Sequence, residues 1–369
     1  MKRYAINKLI EWKNKTKHKP LIIRGARQVG KTWLMKEFGK TEYKKTIYIN
    51  FELEKLMCDL FSLDFDTRRI IEGLELAYSK IDAKNTLIIL DEIQECPKAL
   101  TALKYFYENS PEYNIVAAGS LLGVAIHENI SFPVGKVDFL DLYPLSFLEF
   151  LEAIGENNFV KLLKSPTSPN LKIFKEKYID WLKKYYYIGG MPEVVSVFVE
   201  TNDFKKVRKI QENILDAYTK DFSKHISLTG KLKIDLLWES IPNQITQESK
   251  KFVYKKIKSG ARADEFEEAL SWLVNCGLVY KINRITKPAM PLKAYEDTKA
   301  FKLFILDVGL LSALSKLPAR TLIEGDRIFT EFNGALAEQY VLQQLKTLDD
   351  MEIAYWISKS GNAELDFII

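Results

Sequence analysis

The stretch that most constrains the fold is GARQVGKT, residues 25–32, which fits the pattern G-x-x-x-x-G-K-[ST] between an apolar run and a helix-like segment. Gly25 and Gly30 allow a tight turn that aims successive backbone N–H groups inward, where they can hold phosphate oxygens. The helix that follows adds the positive end of its dipole. The pattern predicts a strand, a phosphate-binding loop and a helix, with a chance glycine turn as the alternative.

The expected nucleotide contacts include every residue of this loop and the residue after it. The lysine of the pattern reaches the β- and γ-phosphates, which gives Lys31 a binding role and a catalytic role. The hydroxyl of Thr32 can ligate Mg²⁺. The predicted contacts are Gly25, Ala26, Arg27, Gln28, Val29, Gly30, Lys31, Thr32 and Trp33.

A second stretch, TLIILDEIQ at residues 86–94, is an apolar β-prone run that ends in two acids. A buried parallel strand has such a continuous apolar run, and its carboxyl end faces the crevice where open α/β sheets bind ligands. Asp91 is therefore predicted to hold Mg²⁺, and Glu92 to orient and deprotonate the attacking water. The alternative is a strand that ends in surface carboxylates.

The rest of the first half alternates between strand and helix patterns. Residues 47–52 and 114–120 are typical of strands, residues 100–109 of an amphipathic helix, and residues 137–151 of a strand followed by a helix. This alternation predicts an α/β fold with a parallel sheet and right-handed crossovers. Ser120 ends one of these strands, where it can sense the γ-phosphate or position water, or is an ordinary strand-end serine.

The choice of nucleotide rests on what the sequence lacks. It contains neither an NKxD-type guanine motif nor a G-x-G-x-x-G dinucleotide fingerprint, so ATP is the expected ligand together with Mg²⁺. A second carboxylate directly after the Mg²⁺ acid favours hydrolysis over transfer to a small acceptor.

Composition indicates a chain of two or three domains. The 369 residues carry 54 Lys and Arg against 49 Asp and Glu, a net charge of +5 that is weak evidence for an anionic partner. Three cysteines and three histidines are scattered without metal-ligand or disulfide spacing, so we expect core thiols in a reducing cytoplasm. No signal-peptide centre and no apolar run of roughly 18–20 residues occurs, and no membrane association is expected.

With these residues in hand, the chain resembles a prokaryotic family of AAA-like P-loop ATPases whose ATPase domain precedes a conserved domain of unknown function. The resemblance covers nearly the whole chain and is carried by LIIRGARQVGKT, LIILDEIQECP, AAGSLLG, GKVDFLDLYPLSFLEFL, YIGGMPEVV, KLFILDVGLL, EFNGALAEQYVLQQL and YWISKSGNAELDFII. It implies an ATPase sheet of the additional-strand type, a helical region, a winged-helix unit and a carboxy-terminal α/β region.

The family also implies ATP, Mg²⁺ and roles for the loop, strand-end and Ser120 positions already named. Relatives usually have arginine where this chain has Lys136, and lysine offers a point charge instead of a bidentate fork. We therefore interpret Lys136 as a solvated lysine and not as a finger to the γ-phosphate. An arginine finger could come from Arg24, Arg27 or another subunit.

The predicted domains are an AAA-like P-loop ATPase domain at 1–155, a helical region at 156–230, a winged-helix-like domain at 231–315 and a partial nuclease-like α/β region at 316–369. In the helical region, GGMP at 189–192 predicts a fixed turn, with a hinge or a contact to the nucleotide domain as alternatives.

Residues 231–300 are expected to form three helices and a β wing, an arrangement that often binds DNA. The third helix, ADEFEEALSWLV, is the one expected to enter the major groove. It carries no Lys or Arg but four acids, Asp264, Glu265, Glu267 and Glu268. Acids repel phosphates, so a protein-contacting role is favoured over DNA binding, although the basic stretch before this helix leaves another docking mode open.

Glu338 and Asp366 match the first two acids of the PD-(D/E)xK nuclease fold, whose third element, (D/E)-x-K on the next strand, completes an Mg²⁺ site. The sequence ends at Ile369 within an apolar strand, which predicts a truncated family member without nuclease activity.

Three functions are consistent with these features. The leading hypothesis is an Mg²⁺-dependent ATPase that acts as a nucleotide-driven switch on its C-terminal domains, with an unknown protein partner and self-association left open. The alternatives are an ATP-gated regulatory binding protein with little turnover, and a DNA-processing or mobile-element ATPase with an incomplete nuclease domain.

Overall fold

The computed structural model describes most of the chain, with side chains everywhere except at 322–324 and 330–333. The described residues are 1–119, 133, 135–165, 167–222, 227–245, 251–324, 330–348, 351–358 and 360–369. They form two compact units, a first unit of Arg3–Leu142 and a second unit of Met1–Lys2 with Tyr143–Ile369. Across these stretches, no helix is long and apolar enough to cross a membrane.

The first unit is built on a parallel five-stranded sheet in the order β2-β3-β4-β1-β5. Its strands are β1 (Leu21–Arg24), β2 (Lys45–Asn50), β3 (Thr86–Asp91), β4 (Asn114–Ala118) and β5 (Asp138–Asp141). Strand β4 lies between β1 and β3 and pairs with both in parallel, which is the additional strand that the resemblance implies. The predicted α/β fold with a parallel sheet is confirmed.

Helices connect and cover these strands. They are α1 (Ala5–Lys13), α2 (Lys31–Glu42), α3 (Lys55–Ser62), α4 (Thr67–Tyr78) and α5 (Pro97–Asn109). Helix α5 begins at a proline, whose missing N–H costs nothing in the first helical turn. β3 is buried over its whole length, because apolar side chains from α3, α4 and α5 join it in one core.

The cysteines of the first unit correct an expectation from the sequence. Cys58 in α3 and Cys96 at the start of α5 form a disulfide, with sulfur atoms 2.50 Å apart and Cα atoms 5.5 Å apart. The interpretation of all three cysteines as core thiols is therefore wrong for this pair, and Cys276 is the free cysteine of the described residues. Sequence spacing could not reveal the pair, because packing of α3 against α5 brings the two positions together.

The second unit is mainly helical in its first part. Its helices here are α6 (Phe147–Ala153), α7 (Asn157–Leu163), α8 (Asn170–Ile173), α9 (Lys175–Ile188), α10 (Pro192–Thr201), α11 (Phe204–Asp221), α12 (Leu228–Ile245) and α13 (Ala263–Asn275). A capping box starts α6, since the Ser146 side chain accepts from the Glu149 N–H and the Glu149 carboxylate accepts from the Ser146 N–H. This pair gives Ser146 and Glu149 of the PLSFLEFL segment a structural role.

A four-stranded sheet in the order β7-β6-β8-β9 completes the second unit. The remaining elements are β6 (Val279–Ile285), β7 (Glu296–Ile305), α14 (Val308–Leu314), α15 (Ala319–Glu324), α16 (Thr330–Lys346), β8 (Ala354–Ile357) and β9 (Glu364–Ile368). The hairpin β6–β7 is antiparallel, and β6 also pairs with β8 in parallel. Strands that the sequence assigned to a winged-helix region and to a terminal region thus belong to one sheet.

The middle helix expected in the winged-helix region is absent from described residues 251–262, which contain a short 3₁₀ turn at Tyr254–Lys256. The reason is tertiary. The Phe252 N–H donates to the Phe301 carbonyl of β7 over 2.8 Å, and the Val253 N–H donates to the Gln244 side chain over 2.7 Å. These backbone groups are therefore committed to partners outside a helix. The winged-helix assignment itself stays a prediction.

A buried carboxylate joins the GGMP turn to the rest of the second unit. Asp307 is fully buried, and its carboxylate accepts from the N–H groups of Gly190 (2.6 Å) and Leu310 (3.0 Å) and from Gln343 Nε2 (3.0 Å). Burial raises the pKa of Asp307 to about 6, although these hydrogen bonds oppose the shift. The turn is thus neither isolated nor solvent-facing.

Glycine is required where the chain passes closest to this carboxylate. A Cβ on Gly190 would overlap the Leu145 carbonyl oxygen, and a Cβ on Gly309 would overlap that of Ile188. Gly189 adds a left-handed backbone, with φ 76°. YIGGMPEVV and KLFILDVGLL, two of the segments that carry the resemblance, therefore meet at one packed junction.

A strand of the sheet in this unit carries a second buried charged side chain. The Lys302 side chain in β7 is 1% exposed, and its ammonium contacts the carboxylates of Glu338 (3.5 Å), Glu364 (2.7 Å) and Asp366 (3.1 Å). The two acids singled out as nuclease-like do converge, but around an internal cation from the chain itself. Glu338 and Asp366 thus both contact Lys302 of the same chain.

Candidate nucleotide-binding site

The loop between β1 and α2 has the backbone that phosphate binding requires. Gly30 has φ 94° directly before α2, and Gln28 is also left-handed with φ 66°. A Cβ on Gly25 would overlap the Leu142 carbonyl oxygen, so only glycine fits there. The fully buried Val29 anchors the loop, and its carbonyl accepts from the buried guanidinium of Arg3 over 2.8 Å.

The loop lysine rests on the loop itself. Lys31 Nζ donates to the carbonyls of Gly25 and Ala26, both over 2.9 Å. Burial lowers the pKa of Lys31 to about 8, against the charges of Glu92 and Asp91, which raise it, while the Arg27 charge lowers it further. An anion beside Nζ would favour the ammonium form. Phosphate binding at this loop would therefore raise the pKa of Lys31.

Two oxygens on neighbouring elements form a candidate site for a hard cation. Thr32 Oγ1, at the start of α2, donates to Asp91 Oδ2, at the end of β3, over 2.7 Å. Adjacent ligands of octahedral Mg²⁺ at 2.0–2.1 Å are about 2.9 Å apart, so this separation and these oxygen donors fit the ion. In the described part of the chain, no group of three or more His, Cys, Asp or Glu side chains could hold a metal. Water and phosphate oxygens could supply further ligands.

A tyrosine that the sequence did not single out completes the surroundings of Asp91. Tyr48 on β2 donates its hydroxyl to Asp91 Oδ2 over 2.9 Å. Burial, together with this hydrogen bond and the negative charge, raises the pKa of Tyr48 to about 12. A neutral donor of this kind fixes the orientation of a metal-ligating carboxylate. The strand pattern of β2 was recognisable, but its pairing with β3 was the information needed to place Tyr48.

The second acid lies in an unusual backbone conformation. Glu92 has φ 50° and ψ 47°, and a 3₁₀ turn at Ile93–Glu95 follows it. The Glu92 carboxylate accepts from Gln94 Nε2 over 2.6 Å. The left-handed residue therefore ends β3 abruptly and places both acids at the carboxyl edge of the sheet.

Of the other predicted site residues, Trp33 is described by the structure and Ser120 is not. Trp33 is 42% exposed on the first turn of α2. Ser120 falls outside the described residues, so its expected role stays a prediction. The structure brings Lys31, Thr32, Asp91 and Glu92 together at one edge of the sheet.

Two basic residues considered as fingers have other partners. Arg24 makes a bidentate ion pair with Asp141, with both N···O distances 2.8 Å, and its guanidinium lies over the Phe139 ring. Lys136 Nζ lies 3.0 Å from Glu108 Oε1. Lys136 is thus a surface ion-paired lysine, close to the interpretation made from the sequence.

Comparison with known families agrees with this geometry. Residues 17–151 match the model of the AAA domain, and residues 179–321 match that of a domain of unknown function (DUF8612). The first unit has the P-loop NTPase fold. The AAA match spans the P-loop domain's phosphate-binding loop, both strand-end acids and all five of its strands.

Solved structures of other proteins are also similar to this P-loop protein. The Walker-type ATPase paby2304 of Pyrococcus abyssi superposes with a TM-score of 0.53 at 15% identity, covering 84% of this chain and 94% of that one. The Aeropyrum pernix ORC1 protein, in complex with DNA, has a TM-score of 0.33 at 13% identity, covering 86% and 94%. AMPPCP-bound DnaA from Aquifex aeolicus has a TM-score of 0.28 at 14% identity, covering 73% and 86%. No curated protein sequence matches the chain.

Proposed function

We propose that this chain is an Mg²⁺-dependent ATPase whose nucleotide state acts as a switch on the second unit. The observation that carries the proposal is the meeting of Lys31, Thr32, Asp91 and Glu92 at the carboxyl edge of one parallel sheet. These groups supply a phosphate-binding cation, two oxygen ligands for a divalent cation and a carboxylate base.

The proposed reaction uses each group once. Lys31 leaves its loop carbonyls for the phosphates. Thr32 and Asp91 would hold Mg²⁺, which would neutralise developing negative charge. The Glu92 carboxylate accepts a proton from the attacking water. The water oxygen bonds to the γ-phosphorus while the bond to the bridging oxygen of the β-phosphate breaks. The products are ADP and inorganic phosphate.

Replacement of Lys31 by alanine tests the nucleotide site. It should lower ATP affinity about ten- to a hundredfold, because a charge-assisted hydrogen bond is worth about 1.5–3 kcal/mol. Calorimetric titration with Mg·ATP measures the affinity, and phosphate release measures hydrolysis. Lys40→Ala, an exposed lysine on the same helix, is the matched control. Equal affinity and equal hydrolysis in wild type and Lys31→Ala would refute the site.

The lowered pKa of Lys31 predicts a pH dependence of ATP binding. Bound phosphate favours the ammonium, so binding takes up a proton wherever free Lys31 is neutral. From pH 7 to pH 9, ATP affinity should fall about tenfold, since each unit above the free pKa costs a factor of ten. Titration in buffers of different ionisation enthalpy counts the proton. In Lys31→Ala the uptake should vanish, and its persistence would assign the proton to another group.

DNA binding through α13 is not part of the proposal. Asp264 and Glu265 give this helix an acidic first turn, and Lys258, 2.5 Å from Glu265, offsets one of the two charges. The Aeropyrum protein in its DNA complex shares too little with this chain to alter that conclusion. We favour a protein that binds the second unit as the partner that responds to the nucleotide state.

A further inference from the structure

The turn after the second acid contains a buried amide, the Gln94 side chain, which has no role in the reaction proposed above. Gln94 is 9% exposed, and its Nε2 lies 2.6 Å from Glu92 Oε2. Because Asp91 and Glu92 carry adjacent negative charges, a neutral donor can fix the Glu92 carboxylate without changing the net charge of the site.

The backbone keeps Gln94 in this place. The Glu95 N–H donates to the Glu92 carbonyl over 3.0 Å, and the Cys96 N–H donates to the Ile93 carbonyl over 3.1 Å. Ile93 is fully buried in the core of the first unit. The turn is therefore held at both ends and in the middle, which fixes the backbone position from which the Gln94 amide reaches Glu92.

We propose that Gln94 is a positioning residue for Glu92, holding its carboxylate in the orientation from which it accepts the proton of the attacking water. This inference rests on the proposed ATP hydrolysis. Gln94 exchanges no proton and contacts no phosphate; it acts through the carboxylate it donates to. A flexible Glu side chain must be held within a narrow range of angles to act as a base, and a displacement of about 1 Å can cost a hundredfold in rate.

Two substitutions remove the donor in different ways. Gln94→Leu introduces an apolar side chain of similar size, and Gln94→Glu keeps the shape but replaces the N–H donor by an acceptor oxygen. Each should lower kcat about ten- to a hundredfold while KM and ATP affinity stay at wild-type values. Glu95→Gln, at the exposed next position of the same turn, should leave kcat unchanged.

A double-mutant cycle separates positioning from a merely structural role. Single-turnover phosphate release is measured for wild type, Gln94→Leu, Glu92→Gln and the double variant. If Gln94 acts through Glu92, Gln94→Leu should change the rate less than twofold in the Glu92→Gln background. An equal loss in both backgrounds, a wild-type kcat in both Gln94 variants, or a loss confined to KM would overturn the inference.

The same experiment tests the role of Gln94 separately from the proposed ATP hydrolysis. A wild type that hydrolyses ATP in a Lys31-dependent manner, with fully active Gln94 variants, rejects only the role of Gln94. A wild type that releases no phosphate rejects the ATPase, and the positioning role with it.

Discussion

Replacing Glu92 by glutamine should lower ATP hydrolysis by about a hundredfold or more while ATP still binds. A general base contributes about 10²–10⁴ to rate, and glutamine keeps the shape of the side chain but cannot accept a proton from water. The phosphate-binding groups Lys31 and Thr32 are untouched, so nucleotide should accumulate unhydrolysed on the protein. Phosphate release and the ATP-to-ADP ratio of the bound nucleotide are the two measurements.

The matched control for this experiment is Glu95→Gln, which makes the same chemical change at an exposed position three residues away. It should hydrolyse ATP like the wild type. Glu92→Gln with undiminished hydrolysis would remove Glu92 from the mechanism. A wild type that already holds ATP without turnover, and is unchanged by Glu92→Gln, would instead favour an ATP-gated regulatory binding protein.

Replacing Asp307 by asparagine should destabilise the second unit by about 3 kcal/mol. Both oxygens of the carboxylate accept N–H groups, so an amide NH₂ in either orientation faces a buried donor such as Gly190 N–H. Urea unfolding followed by tryptophan fluorescence measures the change, because Trp181, Trp238, Trp272 and Trp356 all lie in this unit.

The raised pKa of Asp307 predicts how the stability of the second unit changes with pH. Its folded-state pKa of about 6 exceeds the ordinary value of 3.8, so its contribution to stability is fully present below pH 4 and is lost as pH rises through 6. The cost of Asp307→Asn should therefore be larger at pH 5 than at pH 8. Asp180→Asn, on the exposed side of α9, is the control. A cost below about 0.5 kcal/mol at both pH values, as for an ordinary surface substitution, would contradict the buried role.

Local patterns were sufficient to predict the core of the candidate site. Glycine spacing determines the phosphate loop, and an apolar run that ends in acids determines where Asp91 and Glu92 emerge. Both signals extend over fewer than about ten residues, so no tertiary information is needed to read them. The alternation of strands and helices then fixed the α/β class.

Pairings between distant segments could not be read in the same way. Tyr48 meets Asp91 because β2 and β3 are neighbours, and Cys58 meets Cys96 because α3 packs on α5. Gln94 lies within the motif TLIILDEIQ. Its hydrogen bond to Glu92, however, depends on the left-handed backbone of Glu92, which no sequence pattern predicts. The missing middle helix after residue 250 shows tertiary hydrogen bonds overriding a helix-like pattern.

The buried ammonium of Lys302 has a consequence for the timing of synthesis. Its three carboxylate partners come from α16 and β9, and the most distant, Asp366, follows it by 64 residues. While the chain is still emerging from the ribosome, a buried Lys302 would lack these counter-charges, and an uncompensated buried charge is strongly unfavourable. The sheet of the second unit should therefore close only after β9 has been released, whereas the first unit, complete at Leu142, can fold well before it.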